Sequence, residues 1–364
     1  MADPLSIEPP KKFLYRLATL TKDYRYGRLL WAGLKEDTRT SYASATKSYE
    51  SFCYLNGFTK AWPATQKSLG SWIVERAWGN TTPLMGQLQG TTIRTYVAAL
   101  RSVHVDLDLP TTVFESPHTQ RLINGAINLF PARSKIDRRP LSREMLLKVI
   151  SPAATKGETS IDTLNANAAF TMAFAGFMRM GEFTHKQAEL KDHTKFKAER
   201  LTRRCVTRST AEDYYTLFLP RSKTDYDNTG VRIVIATAND DACPYHHMKK
   251  LLIGDPNGHD APLLRLSSGA FTKERAQAIL AKRMKRIGLD PRGIKGHSFR
   301  KGAAQEAYDN RMSEDQIQAL GRWSSDVVRR YFKRNPMRLF ALQKQFQTGT
   351  TLPLLNKEQQ QKMA

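Results

Sequence analysis

Apolar positions in the first third of the chain recur at helical spacing. In TSYASATKSYESFCYL, Tyr42, Ala45, Tyr49 and Phe52 fall at i, i+3, i+7 and i+10 and form one stripe, with Thr38 or Thr40 placed to cap the helix. QKSLGSWIVERAW follows Thr65, a second capping residue. TTIRTYVAALRSVH turns Ile93, Tyr96, Val97, Leu100 and Val103 inward and leaves Arg94 and Arg101 on other faces. A further helix lies near RLINGAINLF, and residues 1–35 read as an irregular or partly helical lead-in. Together these elements predict a small all-helical bundle over 1–130.

The pattern changes after a basic stretch with no periodicity and prolines near both ends, PARSKIDRRPLS, whose residues 131–139 are the linker candidate. Such a linker either passes close to a polyanion or is a solvated hinge. SREMLLKVI and NANAAFTMAFAGFMRMGEFTH predict helices. DYYTLFLP and GVRIVIA are β-branched and aromatic runs joined by RSKTDYDNT, a hairpin with a long loop. Helices return at CPYHHMKKLL, TKERAQAILAKRMKRIG, RKGAAQEAYDN, SEDQIQAL and SSDVVRRYFKR. The expected fold is mainly α with a small β-hairpin: a helical domain over 1–130, then an α+β domain over 140–335. Residues 336–364 form a tail whose Leu339, Leu342 and Phe346 stand at helical spacing.

Charge narrows the partner. The 364 residues carry a formal charge of +23 with 40% hydrophobic residues, enough to build cores. Residues 1–137 hold 17 basic and 11 acidic side chains, a net of +6; the remaining 227 hold 40 and 23, a net of +17. An excess of that size points to a polyanion, usually nucleic acid, because each cation on a phosphate releases a condensed counterion. Cys53, Cys205 and Cys243 are odd in number and far apart, so no disulfide framework is implied and a reducing compartment fits. No uninterrupted apolar run is long enough to span a membrane, and the polar, proline-rich start is unlike a signal peptide.

Four segments of the second part place phosphate-suited side chains in particular contexts. In GFMRMGEF, Arg179 either pairs structurally with Glu182 or presents a bidentate fork to a phosphate while Glu182 steadies it. In RSKTDYDNT, Lys223 at the hairpin tip is either solvated or a mobile general acid, and Asp225 and Asp227 read as turn residues. In GHSFRKGAA, His297 and Arg300 share one face at i, i+3, either as a helix-capping His beside a surface Arg or as a phosphate-binding pair. In LGRWSSDVVRRYFKR, Trp323 precedes a capped helix and Tyr331 follows eight residues later, as core packing or as a nucleophile. The group Cys243, His246 and His247 raises zinc, but Pro244 suggests a helix start instead.

The order Arg, hairpin Lys, H-x-x-R, Trp, Tyr resembles the tyrosine recombinase (phage integrase) superfamily over nearly the whole chain. GRWSSD followed by RY, RSKTD and the helix TIRTYVAALRSVH look most like its eukaryotic Crypton-type mobile-element branch, with DIRS-type recombinases as the nearest rival. The Trp-to-Tyr spacing is one residue shorter than in many bacterial and phage members. The resemblance implies that Arg179 and Arg300 clamp the scissile phosphate and Lys223 protonates the leaving 5′ oxygen. It implies that His297 assists proton transfer, Trp323 donates its indole N–H to a phosphate oxygen, and Tyr331 becomes a 3′-phosphotyrosine; Glu182 is structural. No metal, cofactor or ATP is expected.

The resemblance further implies a core-binding domain clamping double-stranded DNA with the catalytic domain, in a dimer on one site and a tetramer in synapsis, with the tail exchanged between protomers. A nuclear location follows from the DNA substrate and the eukaryotic likeness. Expected backbone contacts are Arg39, Lys47, Arg94 and Arg101 in the first domain and Arg133, Lys135, Arg138 and Arg139 in the linker. Two other functions compete: a domesticated DNA-binding protein without catalysis, whose sign would be loss of Tyr331, Arg179 or Arg300, and a type IB topoisomerase.

Overall fold

The computed structural model describes residues 8–18, 20–79, 86–131, 138–210, 212–222, 225, 229–323, Val328 and Gln347, with only the backbone of Lys12 and Asp37. The contacts divide the chain into two compact units, Met1–Lys135 and Ile136–Ala364. The secondary structure is mainly helical with a small antiparallel sheet, as the periodicities predict.

The first unit contains α1 (Lys11–Leu17), α2 (Tyr24–Ala32), α3 (Glu36–Leu55), α4 (Gln66–Trp78), α5 (Gly90–Asp106), α6 (Thr112–Glu115) and α7 (Pro117–Leu129). Thr65 caps α4 by accepting from the Ser68 N–H. Its core is Tyr49, Phe52, Leu69, Trp72, Ile93, Val97, Leu100 and Phe114. The predicted stripes of α3 and α5 supply it, but α3 begins at Glu36 rather than at a threonine cap. His104 is fully buried in α5. Its Nδ1 lies 2.7 Å from the Pro110 carbonyl and its Nε2 accepts from the Ala64 N–H at 3.0 Å. Those two partners fix the neutral Nδ1–H tautomer, and burial depresses the ring's pKa.

The second unit contains α8 (Arg143–Ile150), α9 (Pro152–Thr155), α10 (Ser160–Ala175), α11 (Met180–Phe183) and α12 (His193–Glu199), then α13 (Pro244–Gly254), α14 (Lys273–Arg286), α15 (Ser298–Asp309) and α16 (Glu314–Gly321). Strands β1 (Val206–Arg208), β2 (Tyr214–Leu219) and β3 (Val231–Ala236) form an antiparallel sheet in chain order, with Leu217 opposite Ile233. β4 (Arg265–Leu266) and β5 (Gly269–Ala270) make a second, minimal ladder. α10 is buried all round and runs through the core with Phe170, Met172, Leu217, Ile235, Leu251 and Phe299.

Two buried ion networks tie distant segments of this unit together. Asp255 accepts from Asn165 at 3.1 Å, Arg203 at 3.2 Å and Arg265 at 3.0 Å. Arg283, fully buried, pairs with Glu158 at 2.7 Å and donates to Asn167 at 2.6 Å. Such groups cost desolvation unless every charge is paired, so they specify the arrangement more than they stabilise it.

Candidate active site

α10 does not continue through Arg179 as the apolar run predicts. It stops at Ala175, and Phe177 takes a left-handed conformation (φ 50°) that reverses the chain. Arg179 is the N-cap of the short helix α11. A non-glycine residue in that region is held by its surroundings. Here the surroundings are two guanidiniums: Arg322 Nη1 donates to the Gly176 carbonyl at 2.7 Å and Arg300 Nη1 to the Phe177 carbonyl at 2.8 Å.

Glu182 is the hub of the site. It accepts from the Arg179 backbone N–H at 2.9 Å, from Arg179 Nη1 at 2.9 Å, from Ser222 Oγ at 3.3 Å and from Arg322 Nη2 at 3.4 Å. The structural pairing of Arg179 with Glu182 is present. The carboxylate takes one Nη of Arg179, and among the described residues nothing else accepts from that side chain. Ser222 joins the base of the β2–β3 loop to the same carboxylate. That loop is closed by Asp225, which accepts from the N–H groups of Thr229 and Gly230, so the expected turn role fits its geometry. Lys223, the candidate acid, and Asp227 lie outside the described residues.

The H-x-x-R segment adjoins this hub. The Gly296 carbonyl accepts from the Met180 N–H at 2.9 Å, placing His297 beside the start of α11. His297 is the exposed N-cap of α15, whereas Arg300 is fully buried. Arg300 Nη2 donates to the Gly321 carbonyl, and its guanidinium lies over the Trp323 ring, 4.1 Å from the centroid. Trp323 is itself buried, edge-on to Phe177 with centroids 6.2 Å apart. Arg300 is thus not a surface arginine: it forms a buried cation–aromatic stack with Trp323. Tyr331 lies outside the described residues, as does the tail with Leu339, Leu342 and Phe346.

The sequence pattern does not mark Arg322, which joins the same hub. It sits in left-handed conformation after α16 (φ 57°) with its side chain 13% exposed. Burial depresses its pKa, the Glu182 carboxylate opposes that shift and nearby Arg179 adds to it. The only sequence signal was a basic residue after Gly321 at a helix end.

The expected DNA contacts separate into three groups. Arg39 is a correction. It is internal, its side chain 9% exposed, paired with Asp106 at 2.9 Å, donating to the Leu30 and Trp31 carbonyls and stacked 4.1 Å from the Trp31 centroid. Lys47, Arg94 and Arg101 are exposed. Arg94 donates to Asn124 and Arg101 pairs with Glu115, contacts weak enough in water to yield to a phosphate. In the linker, Arg138 is exposed and Arg139 half-buried beside Asp290; Arg133 and Lys135 lie outside the described residues.

No metal-holding group of three or more His, Cys, Asp or Glu occurs among the described residues. Cys243 instead receives hydrogen bonds at the start of α13, which Pro244 opens as the sequence suggested, and His247 contacts the Asp241 carbonyl at 2.8 Å. Among the described residues no helix is long and apolar enough to cross a membrane.

Two residues beyond α11, His185 is buried against Phe196, and among the described residues its Nε2 has no hydrogen-bond partner. Burial, the dominant cause, lowers its pKa from 6.5 to about 4. The folded protein therefore resists a proton that the unfolded chain accepts. Stability is full above about pH 6.5 and declines as pH falls toward 4, by about 2 kcal/mol at pH 5 from this residue. Thermal melts at pH 7 and pH 5 check this: His185→Phe should lose that part of the acid sensitivity, while His104 and His247, depressed in the same direction, keep theirs.

No protein-family model matches the chain. Nor does any curated protein. Solved structures do match. The integrase of transposon Tn1549 in complex with transposon right-end DNA aligns with a TM-score of 0.54 and 11% identity, over 93% of this chain and 99% of that one. The same integrase with circular-intermediate DNA gives 0.52 and 11%, over 89% and 95%. Lambda integrase (residues 75–356) bound to DNA gives 0.48 and 17%, over 87% and 92%. At such identities the Tn1549 alignments establish a shared fold.

Proposed function

We propose that this protein is a tyrosine recombinase that cuts and rejoins double-stranded DNA through a 3′-phosphotyrosine at Tyr331. One observation carries the reading: Arg179, the hairpin base at Ser222, the Gly296–Arg300 segment and the turn at 321–323 converge around Glu182. These are the segments whose order resembles the superfamily, and the fold shared with the Tn1549 integrase supports the same reading.

The Tyr331 phenol oxygen attacks the phosphorus and forms the O–P bond. The bond to the 5′ oxygen breaks, and that oxygen takes a proton from Lys223. His297 accepts the phenol proton. Arg179 and Arg300, fixed in advance, offset charge gathering on the non-bridging oxygens, and Trp323 keeps Arg300 in place. The phosphodiester energy is held in the covalent link, so a 5′ hydroxyl from another strand reverses the attack and completes exchange. In this reading the protein belongs to a Crypton-type element, acts in the nucleus and works as a tetramer in synapsis.

A duplex nicked beside the cleavage site tests the proposal. Wild-type protein should form an adduct that survives SDS, and Tyr331→Phe should form none. Joined product from two duplexes supports recombination; relaxation by a monomer alone would assign the chemistry to a topoisomerase. No adduct on any nicked duplex would refute catalysis.

A further inference from the structure

We propose that Arg322 is a positioning residue that sets the phosphate-binding geometry of Arg179 through Glu182; the inference deepens the recombinase reading and rests on it. Arg322 is 13% exposed, and its two Nη groups point at two different parts of the Arg179 segment. Nη1 holds the Gly176 carbonyl at 2.7 Å, at the end of α10. Nη2 reaches Glu182 Oε2 at 3.4 Å, the oxygen that also accepts from the Arg179 backbone N–H. The turn 176–179 is therefore spanned by one planar fork, anchored at both ends.

The remaining oxygen, Oε1, faces Arg179 Nη1 at 2.9 Å. With Arg322 and the Arg179 N–H on Oε2, the carboxylate keeps its orientation and engages Arg179 through one Nη. Without Arg322, Glu182 keeps the Arg179 N–H and Ser222 contacts but loses its second cation, and a modest rotation lets it take Arg179 bidentately, the favoured geometry for this pair, withdrawing the fork from a phosphate. The left-handed backbone at Arg322 serves this contact, since it turns the side chain back toward α10 immediately after α16. Arg322 and Arg179 share one carboxylate, Glu182, so the cluster carries a net positive charge that an anionic partner would offset.

Two readouts on the full-length protein decide the matter. The first is independent of activity: the Nη signals of Arg179 in 15N spectra report its hydrogen bond to Glu182. They should change in Arg322→Met and return partway in Arg322→Lys. The second is single-turnover cleavage of a nicked duplex. At saturating DNA the Arg322→Met rate should fall about 10²-fold, as expected for a misplaced clamp. Its DNA affinity should stay within about threefold, since most contacts lie on the phosphate backbone. In a Glu182→Gln background the further Arg322→Met change should have almost no effect, because the two act in series.

Wild-type Arg179 signals and a wild-type rate in Arg322→Met would overturn the proposal, as would losses that multiply in the double variant. Should Arg322→Met fail to fold, Arg322→Gln carries the decision, and wild-type signals and rate there overturn it. If the wild type forms no adduct, the recombinase reading fails while the Arg179 signals still judge Arg322.

Discussion

Gly302→Ala should unfold the second unit or lower its melting temperature severely. A Cβ built on Gly302 falls 1.7 Å from the Leu141 carbonyl oxygen and 2.7 Å from its carbon. Both are backbone atoms, and they are not free to move. The Leu141 N–H donates to the Ser298 carbonyl at 3.0 Å, the Arg139 N–H to the Gly293 carbonyl at 3.0 Å, and Lys301 Nζ caps the Arg138 carbonyl at 2.8 Å. Residues 138–141 are thus laced along the start of α15. Two effects oppose each other. Helix propensity favours alanine over glycine by about 1 kcal/mol. The overlap costs about 3 kcal/mol or more, as forced backbone shifts in packed cores do. The overlap wins. Gly125→Ala in α7 is the matched control: nothing lies within 4 Å of its added Cβ, so the change should be neutral or mildly stabilising. Calorimetry on the two variants checks both expectations, and a Gly302→Ala melt equal to wild type would contradict the packing of α15.

Arg300→Lys should cut the rate of covalent adduct formation by about 10²–10³-fold at saturating DNA, the usual cost of removing one pre-set donor to a charged transition state. The substitution keeps the charge, so a purely electrostatic role would leave much of the rate. The geometry says otherwise. Arg300 donates to the Phe177 and Gly321 carbonyls from different Nη groups while its plane lies on Trp323. A lysine ammonium has no plane to stack and cannot serve both carbonyls from that stem. The 176–179 and 321–323 turns would then lose their common anchor. Single-turnover kinetics with binding measured in parallel checks this; a rate within about tenfold of wild type would mean that the fork geometry is dispensable.

Helix caps and stripes were legible because their information is local. Thr65 accepts from the N–H three residues on, as its place before the run QKSLGSWIVERAW predicts, and Ser142, Thr272 and Ser313, which open predicted helical segments, do the same. The break after Ala175 was not legible. GFMRM is apolar enough to continue a helix, and what stops it is a pair of carbonyls taken by Arg300 and Arg322, more than 120 residues away. β1, β4 and β5 are two or three residues long, too short for an alternating pattern. Arg39 misled for the same reason: Asp106 stands 67 residues on, and nothing local marks the arginine as internal. The site residues were readable as a set only through their order, since each alone has an ordinary structural explanation. Nothing local marks Arg322, beside Trp323, because its partners Gly176 and Glu182 belong to another segment.

The most direct test of the covalent mechanism is to locate the bond. A nicked duplex is incubated with full-length protein, the adduct is digested with protease and nuclease, and the nucleotide-bearing peptide is sequenced by mass spectrometry. The mechanism predicts one modified peptide, with a 3′-phosphoryl nucleotide on the Tyr331 oxygen, missing from Tyr331→Phe. A nucleotide on any other side chain, or none while DNA is cut, would contradict it.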